Sequence, residues 1–206
     1  MNQFFRRTGR AVTLCVLVAL AGCASYSLVP PSTSLGVAKS ALHVSPGQSW
    51  NRVLTTMAPY MQGKTAQSEY WTADGNLLNL LSFHGGVAPG ETLFRPVSKQ
   101  ERPMPPFKAD MTLADLPEWV ESSLRLRSAN TTVQMGEIKP VTFAGQSGVQ
   151  CDFTFVDESE VQRRGRVAAT IKGGQLFLIL FEAVSPVYFD RRIAEVEQII
   201  ASATIG

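Results

Sequence analysis

The chain has 206 residues, 45% of them apolar and 17% charged, with a formal net charge of +2. That length suits one domain whose core is large enough to fold without staples, and the apolar fraction excludes a disordered or fibrous protein. The slight positive balance points to nucleic acid or an anionic surface as partner, a suggestion that depends on where the basic residues lie.

Arg6, Arg7 and Arg10 precede an apolar run from Ala11 to Ala21, broken only by Thr13. As a helix this run would span roughly 16 Å, about half the hydrocarbon core of a bilayer. It is too short for a comfortable membrane span and has the order of a secretory signal, residues 1–22. The signal closes on Leu20-Ala21-Gly22-Cys23. This quartet resembles the lipobox of bacterial lipoproteins: an aliphatic residue, two small residues that let a peptidase reach the backbone, and a thiol to alkylate. The resemblance implies cleavage between Gly22 and Cys23, a diacylglyceryl thioether on Cys23, and usually acylation of the new terminus. One acyl chain binds a membrane reversibly, whereas two or three on one residue hold firmly. Ala24 stands where an Asp retains enterobacterial lipoproteins in the inner membrane, which implies the outer membrane and its periplasmic face.

Removing the signal changes the charge. It carries three of the 19 basic residues and none of the 17 acidic ones, leaving 16 against 17. A nucleic-acid role loses the clustered positive surface it needs. Cys15 leaves with the signal and Cys23 is committed to lipid, so Cys151 alone remains and no intramolecular disulfide is expected. Cys151 alternates with Val149, Phe153 and Phe155, which places it as a small hydrophobe on an apolar strand face.

Residues 23–36 read as a lipidated terminus and tether, rich in Ser, Pro, Thr and Gly, and residues 37–206 as one domain. Ala38 to Val44 suits a first short strand. Ser45-Pro46 then starts a helix carrying Trp50, Val53, Leu54 and Met57, limited by Pro59. Ser68–Ala73 and Asn76–His84 form a hairpin across Asp74-Gly75. The second strand is apolar on both faces, hence covered on both sides. The region from Gly85 to Ala109 holds five prolines and is irregular. Thr112 to Arg127 is a helix, with Thr112 and Asp115 forming a variant capping box. Five strands follow: Thr131–Ile138, Val141–Ala144, Val149–Val156, Arg164–Ile171 and Gln175–Ala183. The last is apolar on both faces and therefore central. An amphipathic helix from about Val187 to Ala203 ends the chain. The whole predicts a mainly antiparallel α+β fold with helices packed on the sheet.

Several C-terminal features share an order with a known family. They are Gly148 to Phe155, Arg164-Gly165-Arg166, Gly173-Gly174-Gln175-Leu176-Phe177, and a helix ending Ile199-Ile200-Ala201-Ser202-Ala203. In this order the chain resembles the PsbP-like (DcrB-like) domains, which implies an α/β/α sandwich. Trp71-Thr72-Ala73-Asp74-Gly75 with Leu77 to Phe83 also looks like a motif of proteobacterial lipoproteins. Members of the PsbP-like group mostly bind or assist other proteins, an implication by analogy only.

Enzyme signatures such as G-x-S-x-G, H-E-x-x-H, a P-loop or S-x-x-K are missing. With His43, His84 and one retained thiol, a zinc site is not expected, nor is any cofactor. His84 closes a strand before Gly85-Gly86, where backbone can approach a ligand. It reads either as a hydrogen-bonded strand-end histidine or as a general acid/base awaiting a partner. Asp152, Asp157, Glu158 and Glu160 precede Arg163, Arg164 and Arg166, which reads as a self-paired, solvated loop. Arg95 to Lys108 either presents Met104 and Phe107 to a protein partner as an extended edge or packs them onto the core. The expected function is a non-enzymatic binding or accessory module of the cell envelope. Its alternatives are a carrier of a small apolar or lipid ligand and a His84-dependent hydrolase.

Overall fold

A computed structural model describes residues 25–54, 67–95, 103–127 and 131–206. In chain order the first half comprises β1 (Tyr26–Val29), β2 (Leu35–Gly36), β3 (Leu42–Val44), β4 (Trp50–Val53), β5 (Ser68–Thr72) and β6 (Asn79–Val87). The second half comprises α1 (Leu116–Arg127), β7 (Val133–Met135), β8 (Lys139–Phe143), β9 (Gln146–Val156), β10 (Gln162–Lys172), β11 (Gln175–Val184), α2 (Val187–Ala201) and β12 (Thr204–Ile205).

Nine of the described strands form one antiparallel sheet, ordered β1-β4-β5-β6-β11-β10-β9-β7, with β8 also pairing β9. The central place of β11 follows from its sequence: Leu176 to Phe181 is apolar at every position, so both faces must be covered. Its odd-numbered residues, Phe177, Ile179 and Phe181, join Trp50, Trp71, Phe83 and Phe189 in a core under α2. Its even-numbered residues, Leu176, Leu178 and Leu180, join Phe107, Trp119, Leu124 and Phe153 in a second core under α1. The helices therefore lie on opposite faces, and the expected two-sided sandwich is formed. A small sheet, β12-β3-β2, closes one margin.

The hairpins β9–β10 and β10–β11 form where the alternation places them, the second across the Gly173-Gly174 turn. Gly173 and Gly174 adopt φ of +60° and +75°, which favours a residue without Cβ. Gly165 serves packing instead. A Cβ there would lie 2.1 Å from the tip of the Phe153 ring, its cross-strand neighbour. The Asp157–Arg163 and Asp152–Arg166 pairs tie the same hairpin at 2.7 and 2.6 Å. The 73–78 turn is locked to α2 by Arg192, whose Nε and Nη2 donate to Asp74 at 2.9 and 3.0 Å. That pairing holds the Asp74 carboxyl below the usual carboxylate range.

Two expectations are overturned. The helix expected from Ser45-Pro46 through Met57 is a strand over Trp50–Val53, and residues 55–66 lie outside the described ones. The strand wins because it has partners on both sides: Asn51 pairs Thr72 of β5 and Leu28 of β1. The tether expected over residues 23–36 is in part sheet, over 26–29 and 35–36. Tyr26–Val29 pairs β4 in register from Tyr26↔Val53 to Val29↔Trp50, and Leu35 pairs Val44. Val29 is buried in the α2-side core. Its burial, together with the β4 ladder, outweighs the turn-forming composition around it.

Candidate functional site

The α1 face of the sheet carries an unusual set of polar side chains among its apolar ones. Alternation along β6 sends Leu80, Ser82 and His84 to this face, and β11 adds Glu182 beside them. Arg127 arrives from the last turn of α1. Its Nη2 donates to Glu182 Oε2 at 2.6 Å, with both side chains almost wholly buried. Such a pair holds only because attraction in a low-dielectric interior offsets the desolvation of both charges. The Arg127 guanidinium also stacks 4.6 Å from the centre of the Phe94 ring.

His84 sits at the middle of this group and is fully buried. The Tyr70 and Phe94 rings stand nearly perpendicular to its own, at centroid distances of 6.1 and 5.6 Å. Neither ring nitrogen has a hydrogen-bond partner among the described residues. Burial, reinforced by the nearby Arg127 charge, pushes its pKa down to about 3. The imidazole is therefore neutral across the physiological range. The Tyr70 hydroxyl is pushed up, chiefly by burial.

The expected reading of His84 as a hydrogen-bonded strand-end residue is corrected: it lies inside β6, packed by aromatic rings. The reading as an accessible acid/base is corrected for the same reason. The approach that Gly85 was expected to offer a ligand is occupied by Ser40, whose Oγ would stand 1.9 Å from a Cβ at that position. Cys151 shares this face but lies three strands away, at least ~14 Å. Burial and the neighbouring Asp152 carboxylate push its thiol up to about 11. It is a protonated core residue with no base beside it.

Met104 and Phe107 also face inward. Both are buried, and Phe107 packs edge-on against Trp119 at 6.0 Å. Backbone bonds from Gly90 N to Phe107 O and from Phe107 N to Glu91 O hold the proline-rich stretch against the domain. Trp119 Nε1 adds a bond to Pro105 O at 3.0 Å. Met104 and Phe107 pack onto the core, as the second of the two expected readings has it. Gly22 and Cys23 lie outside the described residues.

Arg127 and Glu182 were not anticipated. Arg127 reads from sequence as a solvated base at a helix end. Glu182 carried a legible signal, a lone carboxylate ending an apolar run that must be central.

Two of the grooves on the described surface are sizeable. One of about 380 Å³ runs between Pro105, Met111 and Trp119. A larger one of about 600 Å³ lies at the ends of β7, β9 and β10, lined by Thr131, Gln134, Phe155, Gln162 and Arg164 among others. Its mixture of hydroxyls, amides and a guanidinium over one aromatic ring suits a polar peptide surface better than an acyl chain. Among the described residues, no three His, Cys, Asp or Glu side chains stand close enough to hold a metal ion.

The sequence matches no protein-family profile and no curated protein. Solved structures do match in shape. The solution structure of cyanobacterial PsbP (CyanoP) from Synechocystis sp. PCC 6803 has a TM-score of 0.54 and 13% identity, over 90% of this chain and 95% of that one. The crystal structure of LpqN, involved in cell envelope biogenesis of Mycobacterium tuberculosis, has a TM-score of 0.34 and 11% identity. It covers 90% of this chain and 87% of that one. The first likeness shows a PsbP-like fold; the second is too distant to support an argument.

Proposed function

We propose that this protein is a lipid-anchored lipoprotein of the bacterial outer membrane, facing the periplasm, and that it acts as a non-enzymatic binding or accessory module of the envelope. One observation carries the reading: a basic segment, a short apolar run and Leu20-Ala21-Gly22-Cys23 stand in the order that lipoprotein processing requires. A domain held by acyl chains on Cys23 needs no membrane-spanning helix, and no helix of the described residues is long and apolar enough to be one. The buried, neutral His84 supports a non-enzymatic role over a hydrolase. The hydroxyl, amide and guanidinium groups around the large groove support a protein partner over a purely apolar or lipid cargo.

The test is metabolic labelling with a radioactive fatty acid. The wild-type chain takes up label and fractionates with the outer membrane. The Cys23→Ala chain takes up none and remains uncleaved or becomes soluble. Equal labelling of both chains sinks the lipoprotein reading. Crosslinking in intact envelopes that recovers no specific partner sinks the accessory role alone.

A further inference from the structure

The β1 strand begins three residues after Cys23, and the chain is already fixed one residue earlier. The amide of Leu54 donates to the carbonyl of Ser25 at 2.9 Å. Two Cα–Cα steps separate Cys23 from Ser25, a reach of at most ~7.6 Å. Each interfacial layer of a bilayer is about 5–8 Å deep. An acylated Cys23 thus brings Ser25 into or against the headgroups, and the ladder from Tyr26 to Val29 makes β1 part of the rigid domain rather than a leash.

What the domain shows at that place is apolar. Leu28 is 68% exposed, Leu54 48% and Tyr26 40%. Tyr26 and Leu28 lie on one face of β1, and Leu54 follows the end of β4 beside Ser25. The Tyr26 hydroxyl donates to Asn76 Oδ1 of the 73–78 turn at 2.9 Å, while its ring stays partly open to solvent. Tyrosine with leucine is the composition of a membrane interface, an aromatic body with a polar tip beside aliphatic side chains. The mature chain, at 16 basic against 17 acidic residues, supplies no general electrostatic attraction, so contact with lipid rests on these side chains and the acyl group.

We propose that the domain seats directly on the lipid bilayer through this margin, with Tyr26, Leu28 and Leu54 entering the headgroup–acyl boundary. This rests on the acylation of Cys23 proposed above. Addition of a strand from another protein is the competing occupant of the β1 edge, which pairs only β4 among the described residues. It is disfavoured because β1 is four residues long and runs into Pro30-Pro31, which cannot donate to a ladder.

The test uses the full acylated chain, purified from membranes and reconstituted in phosphatidylethanolamine–phosphatidylglycerol vesicles. A nitrobenzoxadiazole probe is attached at Leu28→Cys, at Leu54→Cys, and at Val156→Cys as the distant control. Cys151 is buried with a raised thiol pKa and stays silent. Leu28, Leu54 and Val156 are all exposed, and circular dichroism confirms the fold of each variant. Nitroxide-bearing lipid is expected to quench the probes at 28 and 54 several-fold more than the probe at 156, with blue-shifted emission at the first two. Equal quenching at all three sites overturns the proposal. So does a blue shift at 28 and 54 without lipid quenching, which identifies protein as the cover. Intact mass separates the two readings. An unacylated Cys23 overturns the anchor and this seating together, whereas an acylated Cys23 with equal quenching overturns the seating alone.

Discussion

His84 is a buried imidazole without a hydrogen-bond partner among the described residues, and its consequences are measurable. Its folded pKa, about 3, lies below its ordinary value of 6.5. As pH falls, the unfolded chain takes the proton first. Its contribution is therefore full above about pH 6.5 and is lost progressively as pH falls toward 3, at about 1.4 kcal/mol per pH unit. Glu195 acts in the opposite sense, because burial raises its carboxyl and the folded form protonates first. Comparing wild type with His84→Leu cancels that second effect. The leucine fills a similar volume and removes two unpaired ring nitrogens, so at pH 7.5 the variant is as stable as wild type or gains about 1–2 kcal/mol. At pH 5 its advantage grows by about 2 kcal/mol. Denaturant unfolding at the two pH values checks both numbers. An advantage that does not change with pH removes His84 as the acid-sensitive group.

At the scale of elements, legibility followed the reach of the interactions involved. The strands β9, β10 and β11 and the helix α2 were read within a few residues of their bounds, because alternation, glycine turns and a 3.6-residue stripe are local signals. The β4 strand was missed because Trp50, Val53, Leu54 and Met57 fit a helical stripe equally well, and its partners lie far away in sequence. His84 was placed on a strand, but its burial depends on Phe94 and Arg127 arriving from a loop and a helix that sequence cannot dock. The 23–36 segment was misread because Ser and Pro mark loops by composition, whereas the pairing of Tyr26–Val29 is long-range. That error yields a test. If residues 25–36 were a tether, a chain starting at Val37 would melt like one starting at Ser25. Instead the deletion uncovers β4 and exchanges the buried Val29 for solvent. Losing that side chain's burial alone costs about 1.5–3 kcal/mol, and each kcal/mol lowers Tm by about 2–4 °C in a domain of this size. A fall of about 3–12 °C in calorimetry is expected, and unchanged melting sinks the assignment of β1 as a stabilising strand.

At the scale of the molecule, Ser25 and the large groove stand at opposite corners of the sheet. Ser25 lies at the end of the strands marked by Leu54, Ser68 and Val87, on the β1 margin. The groove lies at the other end, marked by Val156, Gln162 and Ser185, near the β7 margin. Seven inter-strand steps separate the margins, about 34 Å at 4.8 Å per step. A domain seated on its β1 margin would therefore hold the groove well out in the periplasm at a fixed height and orientation. Height and stability can be separated. Ten Gly and Ser residues inserted between Ala24 and Ser25 leave every described strand pairing in place, so Tm should stay within about 2 °C of wild type, since substitutions away from packed features change stability by under about 0.5 kcal/mol. The same insertion frees the domain to wander about 16–19 Å from its anchor, the root-mean-square span of ten flexible residues. Lipid quenching at Leu28→Cys should then fall toward that at Val156→Cys. If quenching at Leu28→Cys persists at full strength, the apolar margin holds the membrane without the short connection, and the side chains of Tyr26, Leu28 and Leu54 alone set the orientation. If quenching falls while a partner crosslinked at the groove in wild type is no longer recovered, the fixed height is what the partner requires.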